Sequence, residues 1–317
     1  MTPPRFLALV DEYLAVRRGL GFDSDTPRWL LMSFVRYADR IRHHGPLTTD
    51  LAVQWALASR SRDPAQATRR LSALRPFARY CAVFDPATEI PPTGLLGRLP
   101  RRKTPHIYSD AEIAALLRQS TLLLPRRGLR PRTYVVLFSL LVSTGLRVSE
   151  ACRLTPNDVD LAGGVLTVRE SKFRKSRLVP LHPTTTQALT RYATDRDACR
   201  ATPRSGSFFQ TDRASALTRG TVEKTFSRIR QCLAWSAQGR ARRPRIHDLR
   251  HTFAVRRLLR WSEDRADVDH QILALATYLG HAKVSDTYWY LSAVPELMAL
   301  TAQRFERFAR SEQEAIS

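Results

Sequence analysis

The sequence predicts a mainly α-helical protein with one small antiparallel β-sheet, and three observations carry that prediction. Apolar residues recur at helical spacing through most of the chain, beginning with Phe6, Leu9, Val10, Tyr13 and Leu14. Strand-type patterns are confined to two short runs, Val165 to Val168 and Arg177 to Leu181, with a charged turn between them. A cluster of prolines (Pro86, Pro91, Pro92, Pro100 and Pro105) separates two helical stretches. At roughly 100–200 residues per domain, a chain of 317 residues accommodates two domains.

The first part, residues 1–85, reads as a small bundle of four helices. After the opening helix, Pro27 begins a second that carries Leu30, Leu31, Phe34, Val35 and Ala38. Thr49 is placed to cap a third, through Val53 and Trp55, and Ala67 to Phe84 forms a fourth that Pro76 is able to kink. Residues 86–105 read as a proline-rich linker whose end is basic, with Arg98, Arg101, Arg102 and Lys103. Such a linker suits a DNA backbone or serves as a solvated tether.

The second part spans 106–317. Ser109 and Glu112 have the spacing of a capping box, so a helix starts there. A helical pattern returns from Arg132 to Leu154, interrupted at Gly145, and its apolar run Tyr134 to Val142 reads as buried. After the two strands, helices are expected from Thr184, Thr218, Asp248, Val268 and Pro295.

Charge narrows the function. Lys and Arg number 51 against 29 Asp and Glu, a formal net charge of +22. An excess of that size repels itself and calls for an anionic partner, with nucleic acid first and a membrane surface second. The basic residues are spread over several segments and not along one amphipathic helix, which disfavours the membrane. No run approaches the roughly 18 apolar residues of a membrane helix, and acidic residues come too early for a signal peptide. The four cysteines lie far apart without a CxxC pair, so a zinc site is not expected and reduced thiols in a cytoplasmic protein are.

Four segments carry groups suited to phosphate chemistry. In TGLRVSEACRL (144–154), Gly145 permits a sharp turn after one helix and Arg147 opens the next, where its planar fork can grip phosphate oxygens. A salt bridge from Arg147 to Glu150 is the plainer reading. In TVRESKFRKSRLVPL (167–181), the turn holds Lys172, Arg174, Lys175 and Arg177, a basic tip that is either solvated or set in a DNA groove. In IHDLRHTFAVRRLL (246–259), His247 and Arg250 stand three apart on one helix face. The alternative is a capped helix with a basic outer face made by His251, Arg256, Arg257 and Arg260. In YLGHAKVSDTYWYLSAVPEL (278–297), His281 follows Gly280 at a helix end, and Tyr288 and Tyr290 lie beyond it. Either tyrosine by itself reads as packing.

Taken in order, these segments resemble the tyrosine recombinase, or phage integrase, family. The resemblance covers about residues 106–311, and the helical first part is similar to that family's DNA-gripping core-binding domain in size, helix count and position. The run DTYWYLSAVPEL is most similar to recombinases of transposons that encode several such enzymes together. The resemblance implies that Arg147, Lys172, His247, Arg250 and His281 are catalytic and that Tyr290, nine residues after His281, is the nucleophile. Two departures bear on this. The glycine common in the family just after the hairpin lysine is replaced by Phe173 and Arg174, so Lys175 stands as an alternative to Lys172. Tyr288 lies two residues before Tyr290, and two such side chains on a helix point in different directions.

By the same resemblance, the tyrosine attacks a DNA backbone phosphate and forms a 3′-phosphotyrosine that conserves the ester's energy, so no metal and no cofactor are expected. Arg147, Arg250 and His281 meet the charge on the phosphoryl oxygens, Lys172 protonates the leaving 5′-oxygen, and His247 helps deprotonate Tyr290. Expected partners are double-stranded DNA with a specific site, a tetramer of this chain on that DNA, and companion recombinases. Arg101, Arg102, Lys103, Arg174, Lys175 and Arg177 are candidate DNA contacts. The tail from Val294 to Arg310 reads as an amphipathic exchange helix that docks on a neighbour or on its own chain. Two rivals remain at this point: a type IB topoisomerase and a non-catalytic DNA-binding relative.

Overall fold

The computed structural model describes residues 5–22, 25–61, 63, 65–99, 104–169, 176–199, 206–236, 243–263, 268–281 and 283–293. The chain divides into two compact units, Met1–Arg102 and Lys103–Ser317.

In the first unit, α1 (Arg5–Gly19), α2 (Asp25–Arg40), α3 (Thr49–Leu57) and α4 (Gln66–Phe84) bury their apolar faces on one another. Val10, Phe34, Trp55, Leu74 and Phe77 are fully enclosed, with Phe34 set edge-on to Trp55 at 5.5 Å. Arg70 lays its guanidinium over the Trp55 ring, 4.2 Å from its centre. Thr48, not Thr49, caps α3: its hydroxyl accepts the Leu51 N–H at 3.2 Å, a contact worth about 1 kcal/mol. The Thr49 N–H is taken instead by Glu89 at 2.8 Å. α4 runs through Pro76 without ending.

Much of the proline-rich stretch is tied to α4. Arg75 Nε donates to the Pro91 carbonyl at 2.8 Å, and the Thr68 hydroxyl donates to the Leu96 carbonyl at 2.6 Å. The basic end, Arg101, Arg102 and Lys103, lies outside the described residues.

The second unit begins with α5 (Asp110–Thr121), which opens on the expected capping box of Ser109 and Glu112. α6 (Leu129–Thr144) is apolar on most sides and is accordingly buried, packed by α5, α8 (Pro183–Ala198) and α10 (Asp248–Glu263). Gly145 ends α6 in the left-handed conformation, φ 63°, and the short α7 (Val148–Arg153) follows. A three-stranded antiparallel sheet comes next: β1 (Val159–Asp160), β2 (Val165–Val168) and β3 (Arg177–Pro180), in that order. Leu166 and Val179 pair across β2 and β3 and point together into the core, which fixes the register. The remaining helices are α9 (Arg219–Cys232), α11 (Val268–Leu279) and α12 (Ser285–Ala293). Where α10, α11 and α12 meet, Phe253, Leu258, Ile272, Leu279 and Tyr290 form an apolar cluster of their own.

The mainly helical class with a small antiparallel sheet therefore holds. β1 is an addition that the sequence pattern did not reveal, and α12 gives the helix carrying Tyr288 and Tyr290 its bounds. The helix expected from Pro295, and with it the Val294 to Arg310 tail, lies outside the described residues. Among the described residues no helix is long and apolar enough to cross a membrane. None of the four cysteines is in a disulfide; Cys81 and Cys152 are buried, and Cys199 and Cys232 are exposed.

Candidate active site

Two glycine turns bring the motif-bearing segments to one place. At Gly145, a side chain would stand 2.6 Å from the Phe253 ring, so the close approach of α6 and α10 needs glycine as much as the positive φ does. At Gly280, φ 66°, the chain leaves α11 and an added Cβ would lie 3.0 Å from Arg177 Nη1. These two turns present main-chain carbonyls to the arginines.

Arg147 is the residue before α7. Its N–H and Nη1 are both held by Glu150, at 2.9 and 2.7 Å, and Nη2 donates to the Gly280 carbonyl at 3.0 Å. The Glu150 bridge that the sequence offered as the plainer reading is therefore present. It does not bury the arginine, whose side chain stays 24% exposed at the mouth of the site.

Arg250 is fully enclosed. Nη1 donates to the Gly145 carbonyl at 2.8 Å and Nη2 to the Leu279 carbonyl at 2.6 Å. Burial lowers its pKa to about 10, with the Arg147 charge adding to the effect and Glu150 and Tyr290 opposing it, so it is cationic at neutral pH.

Arg177, expected as a DNA contact, turns inward instead. Its Nε donates to the Tyr278 carbonyl at 2.6 Å, and its two terminal nitrogens bond the Glu150 carboxylate at 3.2 and 2.9 Å. The reason is electrostatic: the Glu150 side chain is 1% exposed and cannot stay charged without partners. Burial would raise its pKa, but the hydrogen bonds and charge of Arg177, then those of Arg147, outweigh this and hold it at about 2. Three guanidinium groups thus gather around this carboxylate, and the surplus of positive charge favours an incoming anion.

His281 follows Gly280, and its Nδ1 lies 2.6 Å from the hydroxyl of the fully buried Thr287. His247, just before α10, lines an open cavity of about 450 Å³ with Arg147, Ser149, Arg219, Arg230 and Arg245. This basic groove adjoins the arginine cluster.

Tyr290 is 1% exposed, and its hydroxyl is 2.8 Å from Nδ1 of His251. Tyr288, two residues earlier, is 42% exposed. The alternative of a basic outer face does not hold for His251, whose side chain is buried between His247 and α12. The signal was present in the sequence: His247 and His251 are four residues apart and so share a helix face. Of the other members of that basic run, Arg256 is taken by the Tyr108 carbonyl and Asp110, and Arg257 lies over Phe253 and Trp261.

Arg147, Arg250, His247 and His281 are therefore gathered at the ends of α7, α10 and α11, with Tyr290 beside them on α12. Lys172, Arg174 and Lys175 lie outside the described residues. Among the described residues no group of three or more His, Cys, Asp or Glu is placed to hold a metal ion.

The family model for the phage integrase family matches residues 114–296. The protein y4rB of Sinorhizobium fredii, which carries an integrase/recombinase name, is 40% identical over 309 residues, covering 95% of this chain and 97% of that one. The tyrosine recombinase XerC of Pelobacter propionicus is 30% identical over 223 residues, 70% of this chain and 67% of that one. In fold, the chain is similar to the Tn1549 transposon integrase solved with a circular intermediate DNA, with a TM-score of 0.64 and 18% identity over 89% of this chain and 94% of that one.

Proposed function

The chain belongs to the phage integrase family and is a tyrosine-type site-specific recombinase, and from that premise we propose that it cuts and rejoins DNA through a 3′-phosphotyrosine at Tyr290. The observation that supports this assignment is the convergence of Arg147, Arg250 and His281, from segments far apart in the chain, with Tyr290 electrostatically coupled to Arg250.

The scissile phosphate sits on the cationic cluster. Arg147, at the mouth, and Arg250, behind it, meet the charge that builds on the nonbridging oxygens, with His281 and His247 as further donors. Both arginines are held by carboxylate or carbonyl groups before substrate arrives, so little reorganisation is needed as charge develops. Lys172, or Lys175 in its place, protonates the leaving 5′-oxygen. The phosphotyrosine conserves the ester's energy, and attack by a 5′-hydroxyl from another duplex completes strand exchange.

The first unit, with the basic end of the linker, grips the duplex. Arg101, Arg102, Lys103, Arg174 and Lys175 contact backbone phosphates, whereas Arg177 serves the site from within. Four protomers act together on DNA, joined through the C-terminal tail, in the cytoplasm and for a mobile element that encodes companion recombinases. The fold likeness to a transposon integrase supports the mobile-element reading.

The test is covalent trapping. A duplex nicked near the scissile phosphate loses its short product and cannot religate. The expected result is a protein–DNA adduct on a denaturing gel for the wild type and for Tyr288→Phe, and none for Tyr290→Phe. An adduct from Tyr290→Phe would remove the nucleophile assignment, and loss with Tyr288→Phe alone would move it to Tyr288.

A further inference from the structure

The family resemblance made His247 the group that deprotonates Tyr290, yet the histidine on the phenol is His251. Its Nδ1 is 2.8 Å from the Tyr290 oxygen, and the contact is buried on both sides. His247 meets the His251 ring edge-on, with centroids 4.8 Å apart, and faces the basic cavity with Arg147. The two histidines therefore divide the space, one toward the groove and one toward the nucleophile. Trp289 and Tyr290 both pack edge-on to the His251 ring, at 6.0 and 5.5 Å between centroids, which fixes its plane.

We propose that His251 is a catalytic residue: it accepts the Tyr290 proton as the phenol oxygen attacks phosphorus. This rests on Tyr290 being the nucleophile, as argued above. The role requires the resting ring to carry its proton on Nε2, leaving Nδ1 as acceptor. In cleavage, the Tyr290 oxygen bonds to phosphorus and its proton passes to Nδ1. The bond from phosphorus to the 5′-oxygen breaks, and that oxygen takes a proton from the general acid. In rejoining, the 5′-hydroxyl attacks, its proton returns to that acid, and His251 gives its own back to Tyr290. Atoms and charge balance without any further reactant. Arg250 lies close enough to feel the Tyr290 oxygen and stabilises negative charge as it grows there.

The experiment replaces His251 by Asn, which keeps a polar atom near the position of Nδ1 but cannot take a proton. Single-turnover adduct formation is measured on the nicked duplex. It is measured again on a duplex whose bridging 5′-oxygen is sulfur, a leaving group that departs without protonation. His251→Asn should slow both by about 100-fold or more, with DNA binding by gel shift unchanged. A ring-fluorinated tyrosine at position 290, whose phenol ionises more readily, should restore at least about tenfold in the Asn background and little in the wild type. His251→Gln supplies the same comparison should the Asn variant fail to fold. Three results overturn the proposal: an Asn variant at wild-type rate, a defect confined to the oxygen-bridged duplex, or no restoration by the fluorinated ring. A wild type that forms no adduct brings down the recombinase chemistry as well, whereas an active wild type matched by its His251 variants brings down this assignment alone.

Discussion

Arg177 and Glu150 form a two-point ion pair inside the second unit, at 2.9 and 3.2 Å, across 27 residues of sequence. It joins the start of β3 to α7, and through the Arg177 bond to the Tyr278 carbonyl it also joins both to α11. The arginine expected to touch DNA is instead what keeps Arg147 and its carboxylate in position.

Glu150→Gln should therefore destabilise the unit, because it leaves Arg147 and Arg177 near the core without their anion. A loss of about 3–5 kcal/mol is expected in urea unfolding. The pH dependence has a definite sign. The folded pKa, about 2, lies below the ordinary 4.5, so the stabilisation is complete above about pH 5 and fades as pH falls toward 2. It amounts to roughly 3 kcal/mol at neutral pH. The gap in stability between wild type and Glu150→Gln should narrow over that acid window, and a constant gap would show that the carboxylate charge is not what matters.

Arg250→Lys keeps a charge but has one nitrogen where two are used, on Gly145 and Leu279. Cleavage should fall by about 100-fold or more while gel-shift affinity stays within a few fold. Arg147→Ala should do the same with less effect on folding, since its side chain reaches the surface. Normal cleavage by either variant would make that arginine structural.

Gly145→Ala tests the turn. The new methyl would press on Phe253 in a backbone conformation that alanine resists, at a cost of about 1–3 kcal/mol. Because the Gly145 carbonyl orients Arg250, cleavage should slow as well. Thermal melting and single-turnover rates on one preparation would show both, and a stable, fully active variant would mean that the turn relaxes freely.

DNA affinity should depend steeply on salt, as the +22 charge requires. With several phosphates neutralised, log K should fall with log salt by about 0.9 for each contact. A nearly flat titration would mean that the excess charge has another use.

What the sequence disclosed follows the range of the interactions involved. Gly145, Gly280 and the Ser109–Glu112 box were legible because a turn or a cap depends on a few neighbouring residues. The identity of the site rested on four local motifs, of which only the hairpin departs from the family pattern, at Phe173 and Arg174. Arg177 was misplaced because its partners lie 27 and 101 residues away, and no local pattern announces them. His251 did not stand out because Arg256, Arg257 and Arg260 follow it in a basic run, while the apolar residues opposite it come from α12. β1 is two residues long, too short for any alternation to register.

The two bonds that fix Arg250 end on main-chain oxygens, not on side chains. A carbonyl is supplied by any residue, so mutation at position 279 can change the surrounding packing without deleting an anchor. The burden on the sequence at this point shrinks to one arginine and one glycine turn. A chain could drift over most of its length and still hold this arginine in the same place, and a designer could transplant the anchoring by copying two helix ends and very little else.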